Sequence, residues 1–286
     1  MRYQPLDGEP RVVAVVSARM ASSRFPGKAM VPLAGRPLIE ILLERIASVP
    51  VLDSVALATS SRSENEPLVQ VARKLGIPAF QGDEDDVLRR YVDCAHHMRA
   101  DHVVRVTGDN PLTDLETLER LVALHLTGEA DYTYVPGDAL LMGILSEVVS
   151  RSALERSWER GEPRHRSELV TLYIKEHPEE FHIRTASLPD GLYRPEYRLT
   201  VDEAEDVALM QALFDRLAGP RRIVTTREAL ALLDRDPGLA ALNAHLRHQA
   251  ANLRSVALDG DVVRSAAREA TSAASSSDAG PGKGRA

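Results

Sequence analysis

The stretch Val12-Val13-Ala14-Val15-Val16-Ser17-Ala18-Arg19-Met20-Ala21-Ser22-Ser23-Arg24-Phe25-Pro26-Gly27-Lys28 decides how the rest of the chain is read. Its first five residues are β-branched or small and apolar, and turn chemistry follows, which suits a buried parallel strand. An apolar helical pattern begins at Leu38. The residues between form a loop leaving the C-terminal end of a first strand, where open α/β sheets place ligands. The loop carries Arg19, Arg24 and Lys28 interleaved with Ser17, Ser22, Ser23 and Gly27. Small residues let backbone N–H groups approach an anion closely, and the cations neutralise it. A solvated basic loop is the plain alternative, but these cations stand at the ligand end of a strand rather than along a helix face. Ala29 follows Lys28, so the Gly-Lys-Ser/Thr ending of a P-loop is absent.

Outward from this stretch, strands are predicted at Val12–Ser17, Ser54–Thr59, Ile77–Phe80 and Asp101–Thr107. Helical periodicity alternates with them at Leu38–Ser48, Pro67–Leu75, Val87–Met98 and from Asp114 to Leu126, with Pro37 at a first helical position. This rhythm implies βαβ units, a parallel sheet and right-handed crossovers. It changes after Val135. Helices are expected at Ala153–Arg160 and Ser167–Glu176 and a strand at Phe181–Ala186. The segment Tyr197–Val201 is expected to return to the main sheet before a helix from Glu203 to Leu217. The interval 136–196 reads as an insertion, a lid or dimerisation region, within a domain spanning 11–250. Residues 1–10 read as an N-terminal arm. Residues 251–286, rich in Ala, Ser and Gly, bury too little apolar area to offset their ordering entropy and are expected to be disordered.

The chain has 286 residues, 44% hydrophobic and 27% charged, in the ordinary range for a globular protein. A net charge of −7 argues against a nucleic-acid partner, while the local cations of the loop suit an anionic substrate. Cys94 is the single cysteine, so no intrachain disulfide forms; it reads as a small apolar helix residue. No apolar stretch has the length of a membrane span, and a cytoplasmic protein is expected.

Two acids stand where a cleft would open. Asp109, in Thr107-Gly108-Asp109-Asn110-Pro111, directly follows a strand, and Asp202 follows Thr200-Val201. Two carboxylates from separate segments suit one hard cation, since Mg²⁺ takes one or two carboxylates and completes its octahedron with water and phosphate. Each is also a plausible helix cap. That plain reading is the stronger one for Asp206, one turn further on, and for the acids of Gly82-Asp83-Glu84-Asp85-Asp86 ahead of a helix.

The loop Ala18-Arg19-x-x-Ser22-Ser23-Arg24-Phe25-Pro26-Gly27-Lys28 resembles the signature of the acylneuraminate and 3-deoxy-manno-octulosonate cytidylyltransferases, nearest to the spore-coat polysaccharide biosynthesis (SpsF-like) branch. The segments around Asp109, from Gly82 to Tyr91, and from Leu199 to Asp206 are similar to that family as well. The resemblance covers about residues 11–217. It implies a Rossmann-like nucleotide-diphospho-sugar transferase fold, α/β, with a mixed, mostly parallel sheet, helices on both faces and an insertion. It implies a nucleoside triphosphate, CTP, bound by Ser17, Ala18, Arg19, Ser22, Ser23, Arg24, Lys28, Thr59 and Asp109. Arg19, Arg24 and Lys28 would act on the triphosphate, Mg²⁺ would be held by Asp109 and Asp202, and the partner would be a second copy of the chain. On the sugar side, Leu141-Met142-Gly143-Ile144-Leu145-Ser146-Glu147 stands for a Pro-Asp-Gly-Leu-Asp-x-Glu-like stretch, with Met142 and Leu145 in place of its acids. Ser167-Glu168-Leu169-Val170-Thr171 stands for an Arg-Glu-His-Val-Thr-like stretch, without its histidine. Glu147 and Glu168 remain as acceptor-binding candidates; His165 reads as an exposed loop residue. A nucleotide-sugar-using glycosyltransferase is a rival, although Asp109-Asn110-Pro111 does not supply an Asp-x-Asp pair. A noncatalytic nucleotide-binding protein of the same fold is another.

Overall fold

Val12–Ser17 forms strand β1, and its alternate side chains are buried on opposite faces. Val12, Ala14 and Val16 join one apolar cluster, and Val13 and Val15 join a second. A strand buried on both sides must be central and covered by helices on each face, which is why its residues read as one apolar run. The computed structural model describes residues 10–22, 24–136, 141–219 and 222–246. The expectations for the N-terminal arm, for Ser23 and for the tail at 251–286 lie outside the described residues.

A small hairpin, β2 (Pro32–Leu33) and β3 (Arg36–Pro37), follows the basic loop. It turns through Ala34 and Gly35, both at positive φ (47° and 77°), a pairing that suits a tight hairpin. Pro37 thus ends a strand and stands one position before the helix rather than at its first residue. The chain continues through α1 (Leu38–Ala47), β4 (Ser54–Ser60), α2 (Glu66–Lys74), β5 (Ala79–Gly82), α3 (Val87–His97), β6 (His102–Thr107), α4 (Leu115–Leu126) and β7 (Tyr132–Tyr134). Then come β8 (Glu147–Ser150), α5 (Arg151–Arg160), α6 (Leu172–Glu176), β9 (Ile183–Thr185), α7 (Ala204–Leu217), α8 (Thr226–Arg235) and α9 (Pro237–Ala241). Asp86 and Asp114 cap α3 and α4, each accepting a backbone N–H from three residues on.

The main sheet has the order β5-β4-β1-β6-β8-β7-β9. All pairs are parallel except those made by β8, which runs against both β6 and β7. The mixed, mostly parallel sheet anticipated above is therefore present. Helices α1, α2 and α4 cover one face, and α3, α5 and α6 the other. A third cluster, built from α7 and α8 with Leu33, Leu38 and Leu112, packs beside them. Two strands of the sheet, β8 and β9, come from the interval 136–196.

Two further local expectations are corrected. The segment Tyr197–Val201 is not a sheet strand. It makes an isolated bridge between Met142 and Arg198, and its N–H groups at Leu199 and Val201 donate to Met142 O (2.7 Å) and Asp109 O (2.9 Å). The flank of β6 that it would have joined is taken by β8. The helix expected from Ser167 begins only at Leu172. Among the described residues no helix is long and apolar enough to cross a membrane.

Candidate active site

The sheet changes direction at β1: β4 and β5 extend to one side, and β6 lies on the other. Ser17 is in register with Ala58 and with Thr107, so the basic loop starts at this switch point, where such sheets open a crevice. The loop is pinned from both flanks. On the β4 side, buried Asn65 accepts the Met20 N–H (2.7 Å) and donates to Ser60 Oγ (2.6 Å). On the β6 side, Gly108 N–H donates to Ser17 O (2.8 Å). A Cβ on Gly108 would stand 2.6 Å from Ala18 Cβ and 2.7 Å from Ser17 O, so only glycine lets the two strand ends approach this closely.

The close approach brings Asp109 beside the loop's last cation. Lys28 Nζ donates to Asp109 Oδ2 and to Asp202 Oδ1, 2.7 Å in each case. Arg24 reaches the same Asp202 oxygen at 2.9 Å from the rim. Burial alone would push Lys28 down, but the charges of Asp109 and Asp202 outweigh it and hold the ammonium above its ordinary value. Burial likewise pushes Asp109 up, and Lys28 overrides it, keeping the carboxyl below its usual range. Asp202 is placed by the Val201–Asp109 backbone bond and by Arg198, whose Nη2 donates to Oδ2 (3.3 Å). Asp206 points inward to Arg198, away from Lys28, in keeping with a capping role.

Arg19 takes a different direction from the other two cations. It binds Glu84 (3.4 Å) and Glu168 (2.5 Å). Ser17 Oγ accepts from Arg90 Nη2 (3.4 Å), and Ser22 Oγ accepts the Phe25 N–H (3.4 Å). Ala18 is buried and donates its N–H to Ala58 O (3.2 Å). Thr59 is fully buried in β4.

Glu147 stands at the start of β8 in a second charged cluster. It accepts from Lys175 Nζ (2.7 Å), Arg105 Nη1 (3.0 Å), Thr171 Oγ1 (3.3 Å) and the Tyr132 hydroxyl. Burial would raise its carboxyl, yet Lys175 and Arg105 bring it down to about 2. Tyr132 stacks on Tyr134 with ring centroids 4.8 Å apart, and Lys175 Nζ lies 5.6 Å from each ring. Glu168 links this cluster to the loop. Its backbone oxygen accepts from Arg105 (3.0 Å) and its exposed carboxylate from Arg19. At the altered family positions, Met142 Sδ lies 3.6 Å from Arg198 Nη1, Leu145 packs against the core, and Leu169 is exposed. His165 is buried rather than exposed: its Nδ1 accepts the Glu162 N–H (2.8 Å) and its Nε2 pairs with Glu176 (2.7 Å). Cys94 is buried in α3 and its thiol is pushed up to about 12, which leaves it inert as a nucleophile.

Arg105, Lys175, Arg198, Arg90 and Asn65 escaped the sequence reading. Arg105 had one usable signal: it is a charge inside the apolar strand Val103-Val104-Arg105-Val106. Among the described residues no group of three or more His, Cys, Asp or Glu converges as an ion cage. Two carboxylates do converge, on the point now held by Lys28 Nζ. That donor set fits a hard divalent cation that shares its remaining positions between water and phosphate.

Residues 13–217 match the sequence model of a cytidylyltransferase family. The chain belongs to that family. This cytidylyltransferase is 34% identical to the spore coat polysaccharide biosynthesis protein SpsF of Bacillus subtilis over 234 residues, which are 80% of this chain and 96% of that protein. It is 30% identical over 114 residues to the 3-deoxy-manno-octulosonate cytidylyltransferase of Geobacter sulfurreducens, 39% of this chain and 44% of that one. The solved structure of a cytidylyltransferase from Leptospira borgpetersenii superposes with a TM-score of 0.75 at 25% identity, covering 81% of this chain and 97% of that one. The cytidylyltransferase is thus a nucleotidyl-transferring enzyme on the Rossmann-like nucleotidyltransferase fold.

Proposed function

We propose that the enzyme transfers a cytidylyl group from CTP to the hydroxyl of a sugar with release of pyrophosphate, in glycan or glycoconjugate biosynthesis, using Mg²⁺ held by Asp109 and Asp202. The observation that carries the reading is the single ammonium of Lys28 held between two carboxylates at the end of the basic loop. When bound, the divalent cation supplies Lewis-acid polarisation of a phosphate oxygen. The protein's part is positioning and charge. Lys28 and Arg24 lie where they neutralise triphosphate and meet the charge that grows on departing pyrophosphate. The small residues Ser17, Ala18 and Ser22 keep the loop's surface low beside the phosphates, and Arg19 faces the acceptor side through Glu168. Residues 14–18 and the end of β4 from Thr59 to Arg62 flank the position of the base.

The acceptor lies between Glu147 and Glu168. Arg105 and Lys175 outnumber the Glu147 they surround, and this local positive surplus supports an acidic or otherwise anionic sugar. The sugar hydroxyl attacks the α-phosphorus in line as the bond to pyrophosphate breaks, and its proton passes to solvent. The interval 136–196 would serve as lid and as the contact between two copies of the chain, and the enzyme would work in the cytoplasm. Incubation with each nucleoside triphosphate, Mg²⁺ and a panel of sugars tests the proposal by pyrophosphate release. Release with CTP and a restricted set of sugars is expected. Folded protein that releases none from any pairing, but binds nucleotide whether or not Mg²⁺ is present, is a noncatalytic binder and overturns it.

A further inference from the structure

We infer that Arg198, Asp206 and Asn243 form a buried positioning relay for Asp202, and that the segment beyond the family match is therefore part of the active-site scaffold. The inference rests on the proposed role of Asp202 as a cation ligand. Asp206, fully buried in the first turn of α7, accepts five hydrogen bonds. They come from Arg198 Nε (2.9 Å) and Nη2 (2.9 Å), the Asp202 N–H (3.0 Å), the Glu203 N–H (3.1 Å) and Asn243 Nδ2 (2.8 Å). Asn243 also donates to the Arg198 carbonyl (3.0 Å), so one amide holds both partners. Arg198 and Asn243 are themselves buried, at 5% and 2% exposure.

The charges explain why the relay matters. Arg198 also reaches Asp202 Oδ2, and an unneutralised guanidinium there would compete with any cation for that carboxylate. Asp206 answers the guanidinium through two hydrogen bonds, so Arg198 orients Asp202 while the negative charge of Asp202 stays available on Oδ1, the oxygen facing Lys28. Asn243 keeps the Asp206 carboxylate turned for that task. The family match ends at residue 217, and Asn243 lies after it. Buried Arg45 of α1 fastens the same region by donating to Thr226 Oγ1 (3.2 Å) and to the Val224 carbonyl. Partners behind a ligating carboxylate commonly change metal affinity by about 10- to 100-fold when removed.

The test compares the full chain with Asn243→Ala and Asn243→Asp. Mn²⁺ binding is read by electron paramagnetic resonance in the presence of the nonreacting α,β-methylene analogue of CTP, beside melting temperature and turnover. Asn243→Ala is expected to weaken Mn²⁺ binding by about tenfold. Half-saturation of turnover by Mg²⁺ should rise in parallel, and KM for the sugar should hold. Asn243→Asp removes both amide donations, to Asp206 and to the Arg198 carbonyl, and should also weaken Mn²⁺ binding. Should Asn243→Ala unfold, Arg198→Lys carries the test: it keeps the charge but loses the forked geometry, and it should weaken Mn²⁺ similarly when measured below its own melting transition. Variants that bind Mn²⁺ as wild type does overturn the relay while leaving the proposed function standing. Wild-type protein that binds no Mn²⁺ with the analogue overturns both.

Discussion

Two charged clusters flank the crevice, built from the same ingredients in different arrangement. At the end of the basic loop, one ammonium is shared by two carboxylates, with Arg24 at the rim. Around Glu147, one carboxylate is shared by two cations, a phenol and a threonine hydroxyl. In the first cluster the two carboxylates converge on a single point, and a divalent cation there would take oxygens now given to Lys28 and Arg24 and free those side chains for phosphate. The second has its acid fully hydrogen-bonded and offers the positive surplus of Arg105 and Lys175. A crevice with paired carboxylates at one end and a cationic surplus at the other suits a reaction in which a metal-bound triphosphate meets a separate acceptor. Substitutions on the two sides should therefore fail in different ways.

The largest expected effect lies at the first cluster. Asp109→Asn and Asp202→Asn each retain size and lose charge. Each should lower kcat by about three orders of magnitude, the several kcal/mol that a Lewis acid contributes to such a transfer. The melting temperature should stay near that of wild type, since Lys28 keeps one carboxylate partner in either variant. Pyrophosphate release at saturating substrate measures it, and near-wild-type turnover in either variant removes that residue from the cation site.

Glu147→Gln should fail through stability as much as through catalysis. The carboxyl is held near 2 against 4.5 for a free glutamate, a difference that stabilises the fold by about 3 kcal/mol at neutral pH. Because the folded value is depressed, that contribution is complete above about pH 5 and is lost as the pH falls toward 2. Glutamine leaves Arg105 and Lys175 with no acid between them. Urea unfolding should show a loss of roughly 3 kcal/mol at pH 7 that shrinks as the pH approaches 3. The KM for CTP should change little beside the KM for the sugar. An equal loss at pH 7 and pH 3 would show that the carboxylate charge was not the source of the stabilisation.

The two clusters also differ in how far the sequence revealed them. Lys28, Arg24 and Asp109 are local to strand ends, and a strand followed by a turn is legible from periodicity and turn chemistry. The strand at Val12–Ser17 and the cap at Asp86 are legible for the same reason. The Glu147 cluster draws Arg105 from β6, Tyr132 from β7, Thr171 from the turn before α6 and Lys175 from α6, and only sheet order brings them together. No spacing rule predicts that β8 slots between β6 and β7 running the other way. Tyr197–Val201 was misread as a sheet strand because its apolar alternation suits an extended segment. Its partners proved to be Met142 and Asp109, two loop residues. Arg198 is not legible in that same segment, since nothing in the local pattern shows that Asp202 and Asp206, four and eight residues on, turn back onto it. His165, a polar residue among arginines, gave no sign that Glu162 and Glu176 would enclose it.

The smallest expected effect separates the two acids on the acceptor side from each other. Glu168 has a side chain 67% exposed and, among the described residues, one ion-pair partner, Arg19, whereas the Glu147 side chain is 14% exposed. An exposed pair of this kind contributes about 0–1 kcal/mol, so Glu168→Gln should unfold at nearly the same urea concentration as wild type. Its carboxylate is free to accept a sugar hydroxyl once Arg19 turns to phosphate, and a charged hydrogen bond of about 1.5–3 kcal/mol raises the KM for the sugar by roughly tenfold or more when lost. Steady-state kinetics at saturating CTP, run beside the urea titration, reads both quantities on one preparation. A stability loss matching that of Glu147→Gln would mean that Glu168 is a strut of the fold. An unchanged sugar KM would move the acceptor away from Glu168, leaving the surplus charge of Arg105 and Lys175 as the feature that locates it.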